Sequence, residues 1–164
     1  MSCDAVAALF MLFAANGPVT SPPALVRVAD ASAAAKPDLG ASFASEPLFV
    51  GIVGRAQRLL GKVGAYRGAL AKDGAGDLAD YDTFKFEVKT LSDLDFKAHE
   101  ELAARGTDSD LKCILRGISA DLALKLADLD AAADGAAKDK VLKDLSYLLN
   151  DNVEVIKAPP APPV

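Results

Sequence analysis

Apolar residues recur along this chain at intervals of three and four, the spacing that lines one face of an α-helix. The first such run reads Phe49, Ile52, Val53, Ala56, Leu59, Leu60, Val63, Tyr66 and Leu70. Ser45-Glu46-Pro47 ahead of it has the form of an N-cap followed by an early proline, and Asp73-Gly74-Ala75-Gly76 ends it. Residues 78–105 carry Tyr81, Phe84, Val88, Leu91, Leu94, Ala98 and Leu102 at the same spacing and stop at Gly106. Within them Phe84-Lys85-Phe86-Glu87-Val88 alternates as a half-buried strand does, but the longer helical period prevails. Thr107-Asp108-Ser109-Asp110 offers caps for a third helix with the seam Leu111, Leu115, Ile118, Leu122, Leu126 and Leu129. Gly135 separates it from a fourth, roughly 137–157, with Leu142, Leu145, Leu149, Val153 and Ile156 on one face.

Four amphipathic helices joined by short connections predict an all-α fold, an up-down-up-down four-helix bundle over residues 45–157 with an aliphatic, nearly dry core. Outside it, Pro18, Pro22, Pro23 and Pro37 mark residues 17–44 as a proline-rich N-terminal arm, and Pro159, Pro160, Pro162 and Pro163 make 158–164 a short extended tail. Residues 1–16 contain the apolar run Ala5 to Ala15, which falls short of the roughly 20 residues that cross a bilayer. It reads either as a targeting leader or as a short N-terminal helix between Asp4 and Asn16-Gly17.

Glycine placement goes beyond what a bundle asks for. On a helical wheel Gly51, Gly54, Gly61, Gly64 and Gly68 fall opposite the buried face of the first helix. Each costs about 1 kcal/mol relative to alanine, so the set costs on the order of 5 kcal/mol, comparable with a domain's net stability. A side-chain-free flank lets another backbone approach closely, and the expected occupant is the arm folded back or a separate protein; composition alone is the plain alternative. Arg55, Arg58 and Lys62 stand beside the glycines. Residues 45–73 carry a net +3 and residues 74–106 a net −4, so the charge either steers an acidic partner or matches the first two helices across their shared groove.

The whole chain is acidic, with 18 basic against 23 acidic side chains, which argues against nucleic acid as a partner. One histidine and two cysteines exclude zinc cages, haem attachment and the paired Glu-x-x-His sites of di-metal bundles, so no metal or cofactor is expected. Phosphate-binding, dinucleotide and serine-nucleophile fingerprints are missing, and an enzyme is not expected. Asp93, Asp95, Glu100, Asp121 and Asp128 read as solvated faces. Ala98-His99 matches the start of the histidine phosphotransfer motif, but Glu101, Leu102 and Ala103 depart from it, so His99 reads as a rim histidine. Cys113 lies away from its helix's leucine seam, beside Ala120, Leu124, Ala127 and Ala131, with Cys3 as its conceivable disulfide partner.

In layout, the proline-rich arm and the four helices that follow a proline-led apolar run, from residue 17 to 157, resemble the PsbQ-like extrinsic subunits of photosystem II. The spacing Leu115-Arg116…Asp121-Leu122 and the string Lys143-Asp144-Leu145-Ser146-Tyr147-Leu148 share that flavour. The resemblance implies a non-catalytic subunit of the thylakoid lumen, peripheral to the membrane. It would dock on a larger, photosystem-like membrane complex through its arm and the face bearing Arg55, Arg58, Lys62, Gly54, Gly61, Gly64 and Gly68. The leader lacks the basic or twin-arginine start of a lumenal signal. The alternatives are a periplasmic or secreted bundle holding a small apolar ligand between its helices, and a phosphotransfer carrier using His99.

Overall fold

The computed structural model describes residues 43–74, 78–106 and 110–159, without the side chain of Asp73. The leader, the arm up to residue 42 and the end of the tail lie outside the described residues. The described chain forms four helices and no strand: α1 (Pro47–Asp73), α2 (Tyr81–Ala104), α3 (Leu111–Ala131) and α4 (Gly135–Lys157). The alternating stretch around Phe86 is helical: Phe84 and Val88 are buried while Phe86 between them is 70% exposed, whereas a strand would place all three on one face.

The ends of the helices differ from the sequence expectation in instructive ways. At α1 the capping position is Glu46, not Ser45, and it makes no side-chain cap; Pro47 sits at the start, where its missing N–H costs nothing. The Glu46 carboxylate instead accepts two hydrogen bonds from Arg105, at 2.8 Å each, which hold it below the usual carboxylate range. Gly74 ends α1 in the left-handed conformation, its N–H donating to the Leu70 carbonyl at 3.0 Å. Asp110 precedes α3 without a side-chain cap, and residues 107–109 lie outside the described residues. At α4 the side chain of Asp134 accepts from the Ala137 N–H at 2.8 Å, so the helix starts at Gly135, two residues earlier than expected. Gly135 is thus a helix residue and not a spacer. A Cβ there would stand 3.1 Å from the Gly74 carbonyl oxygen, and this close approach of α4 to the end of α1 is what calls for glycine.

Each helix packs mainly against two others, giving the ring α1–α2–α3–α4–α1, with the most extensive packing between α2 and α3 and between α1 and α4. Pairs that climb α1 descend α2: Glu46 meets Arg105, Lys62 meets Glu87 at 2.8 Å, and Tyr66 packs edge-on against Phe84 at 5.1 Å. The α2–α3 seam is pinned by Ser92 on Ser119 and His99 on Lys112, and the α1–α4 seam by Arg67 on Asp139 at 2.8 Å. The buried positions of α1 are Phe49, Ile52, Ala56, Leu59, Val63, Tyr66 and Leu70, a strict alternation of three and four; Val53 and Leu60 flank that seam half-buried.

Two expectations about the core are corrected. It is not purely aliphatic: Phe49, Phe84 and Tyr66 are buried in it, and Phe43, from the stretch assigned to the arm, packs against Phe49 at 5.8 Å. Nor is it dry of polar groups, since Asp95 and Asn152 are completely buried. The Tyr66 hydroxyl donates to the Ala79 carbonyl at 2.6 Å and ties the α1–α2 connection down. Tyr66→Phe should therefore cost about 1 kcal/mol of stability with no change of fold, measured by chemical denaturation with helical circular dichroism as the control.

Candidate functional site

The outward flank of α1 follows from its sequence. With the seam turned inward, Gly51, Gly61, Gly64 and Gly68 come to the opposite side and are exposed, and a Cβ added at any of them meets none of the described residues within 4 Å. These four glycines are therefore not demanded by packing among the four helices. Gly54 is half-buried, and its Cβ would make ordinary contact with Arg58 Nη1 at 3.6 Å. Val50, 53% exposed, extends the flank toward the start of the helix.

The three basic residues assigned to this face separate. Arg58 is exposed beside Gly54. Lys62 is half-buried and paired with Glu87 of α2, the charge matching across the first groove that was the plainer expectation. Arg55 is also half-buried, and its Nε lies inside the bundle without a hydrogen-bond partner. The face that remains outward is smooth, small and weakly basic.

On the far side of the ring, α3 and α4 enclose an open groove of about 520 Å³. Asp121 and Asp128 of α3 face Asp144 and Asp151 of α4 across it. Lys125 reaches Asp128 at 3.2 Å and Asp144 at 3.5 Å, while Leu124 and Tyr147, each 61% exposed, form its lip. A smaller groove between α2 and α3, about 270 Å³, is lined by Val88, Ser92, Ala123, Leu126 and Ala127.

Sequence reasoning missed the polar pair in the core and misplaced Asp95, which it read as a solvated carboxylate. Asn152 Nδ2 donates to Asp95 Oδ2 at 2.8 Å, joining α2 to α4 across the ring. Burial pushes the Asp95 carboxyl up to about 8, against the smaller opposing effect of the Asn152 hydrogen bond. A signal was present. The buried α2 series Phe84, Val88, Leu91, Ala98, Leu102 leaves an open step at position 95, whereas in α4 the buried Val153 fills the step beside Asn152 and hides it. Counting only apolar residues substituted Leu94, which is half-buried.

His99 is half-buried at the rim. Its Nδ1 lies 2.7 Å from the Lys112 carbonyl, which can only accept, so that nitrogen carries the proton and donates. Cys3, the conceivable disulfide partner of Cys113, lies outside the described residues. Among the described residues no three His, Cys, Asp or Glu side chains are grouped so as to hold a metal ion, and no helix is long and apolar enough to cross a membrane.

Comparison of the chain with known protein families, curated proteins and solved structures returned no match. The reading of function rests on the geometry above.

Proposed function

We propose that this protein is a non-catalytic helical module that docks on a larger assembly through the outward flank of α1. The observation that carries this reading is the open space beyond Gly51, Gly61, Gly64 and Gly68. Four glycines that no neighbouring helix requires lower the stability of α1, and a close-fitting partner backbone offsets that cost. Arg58 at the edge of the flank gives the contact an electrostatic component toward an acidic partner. The up-down-up-down path belongs to the same reading, supported by the Glu46–Arg105, Lys62–Glu87 and Arg67–Asp139 pairs, and it leaves one long side of α1 uncovered by the other three helices.

The narrower form of the proposal is a PsbQ-like subunit on the lumenal side of photosystem II, or a periplasmic counterpart on another membrane complex. It rests on layout alone.

Fractionation of the native protein tests both forms. The full chain should sediment with membranes of its source at low ionic strength and leave them at moderate salt, because charge contacts of this kind are screened within about 10 Å at 0.1 M. Arg58→Glu should lower retention by about tenfold, the equivalent of roughly 1.4 kcal/mol. Co-migration with a chlorophyll-containing complex on a native gel would support the photosystem form. Recovery in the supernatant at every salt concentration would end the docking reading.

A further inference from the structure

Among the described residues, three buried side-chain polar atoms lack a hydrogen-bond partner: Arg55 Nε, Asp95 Oδ1 and Asn152 Oδ1. They come from three helices, yet they occupy one level of the bundle. On the α1–α2 seam the pairs Glu46–Arg105 and Lys62–Glu87 bracket this level. Their midpoint falls at Gly54 on α1 and Phe96 on α2, the sequence neighbours of Arg55 and Asp95. On the α1–α4 seam, the step back from Arg67 to Arg55 equals the step forward from Asp139 to Asp151, the neighbour of Asn152. Ala56 is the buried α1 residue at this level.

The chemistry of the three atoms is complementary. Arg55 Nε–H is a donor, and the two oxygens are acceptors. With Asp95 Oδ2 already accepting from Asn152 Nδ2, a neutral Asp95 can donate its own proton to Asn152 Oδ1 and close an acid–amide ring. An ionised Asp95 has no such proton. It strands the Asn152 oxygen and places a charge where burial opposes it, and a buried charge persists only beside a counter-ion.

The charged groups that face this level are few. On α3, Arg116 is exposed, and Ser119 is engaged with Ser92. Lys112 and His99 meet one another one turn further along α2 and α3, His99 standing four residues from Asp95. On α4, Asp151 and Glu154 are exposed, and on α1 so is Arg58. Lys112 is itself buried, and Arg55 carries a buried nitrogen without a hydrogen-bond partner. In the arrangement observed, burial and Asn152 are what act on the Asp95 carboxyl, and Arg55 is not engaged with it.

We propose that Arg55, Asp95 and Asn152 form a single two-state polar layer, in which neutral Asp95 is tied to Asn152 on α4 and ionised Asp95 is tied to Arg55 on α1. The proton released on ionisation passes to solvent base, and Arg55 stays protonated throughout. The layer thus changes which neighbour α2 grips, from across the ring to beside it, on passing to alkaline pH. This inference stands apart from the docking reading.

The test is a carbon-13 NMR titration of the Asp95 carboxyl in the full chain, with the Arg55 Nε–H resonance followed in the same samples. The Nε–H signal is expected to move with the midpoint of Asp95. Arg55→Met, which keeps the aliphatic stem, should raise the Asp95 midpoint by about one pH unit or more, since the ionised form loses its counter-ion. Arg55→Lys should fall between the two. An unchanged midpoint in Arg55→Met would overturn the proposal. So would an Arg55 Nε–H signal that still titrates with that midpoint in Asp95→Asn, a variant that preserves the pairing geometry with Asn152 and guards against a failure of the first variant to fold.

Discussion

Asp95→Asn should make the protein markedly more stable at pH 7 and leave it nearly unchanged at pH 4. The carboxyl shifts from an ordinary value of 3.8 to about 8 on folding, because burial penalises its charged form. Its folded value is raised, so its contribution is intact below about pH 4. That contribution is lost progressively as the pH climbs toward 8, at about 1.4 kcal/mol per pH unit, because over this interval the folded chain holds a proton that the unfolded chain has released. At pH 7 the accumulated loss reaches about 4 kcal/mol as an upper bound. Asparagine carries no such proton requirement. Its amide can donate to Asn152 Oδ1 while its oxygen accepts from Asn152 Nδ2, leaving neither side chain short of a partner. Denaturant titrations of both chains at pH 4 and pH 7 check this, with a melting temperature raised by about 10 °C expected at pH 7. Glu46 and Asp139, which Arg105 and Arg67 hold below the usual carboxylate range, lose their contributions on the acid side and do so equally in both chains. A gain of the same size at both pH values would show that Asp95 is ionised in the folded protein.

The second large effect lies on the outward flank of α1. A chain with Gly51, Gly61, Gly64 and Gly68 all replaced by alanine should be more stable by about 3 kcal/mol, because each new methyl group meets open space and each substitution removes backbone freedom from the unfolded chain. Gly135→Ala is the control that should not share the gain, since its methyl group would press on the Gly74 carbonyl. The quadruple variant also separates the two explanations of the glycines. If they admit a partner's backbone, the more stable chain should bind membranes less well, and binding cannot then be lost through unfolding. If composition alone placed them there, stability rises and membrane retention is untouched.

The four helices were legible because an α-helix with one buried side writes a three-four period into the sequence, and the seams of α1 and α3 show it with little interruption. The glycine flank was legible for the same reason, as the complement of the α1 seam. The polar layer was harder to see. Asp95 and Asn152 occupy seam positions that a search for apolar residues passes over; the unfilled step in α2 betrayed Asp95, while Val153 hid Asn152. The candidate basic face was legible as a charge count but not as a surface, because one turn of α1 aims Arg58 outward and Lys62 toward Glu87.

By itself, the order of residues determined that this is an all-helical chain, where its helices lie and which side of each is apolar, since these follow from interactions between neighbours a few residues apart. Tertiary structure alone decided which helix meets which, and with that the partners of Arg67, Lys62 and Arg105, the glycine requirement at Gly135 and the meeting of Asp95 with Asn152. Those outcomes depend on contacts between residues far apart in the chain, and local periodicity carries no record of them.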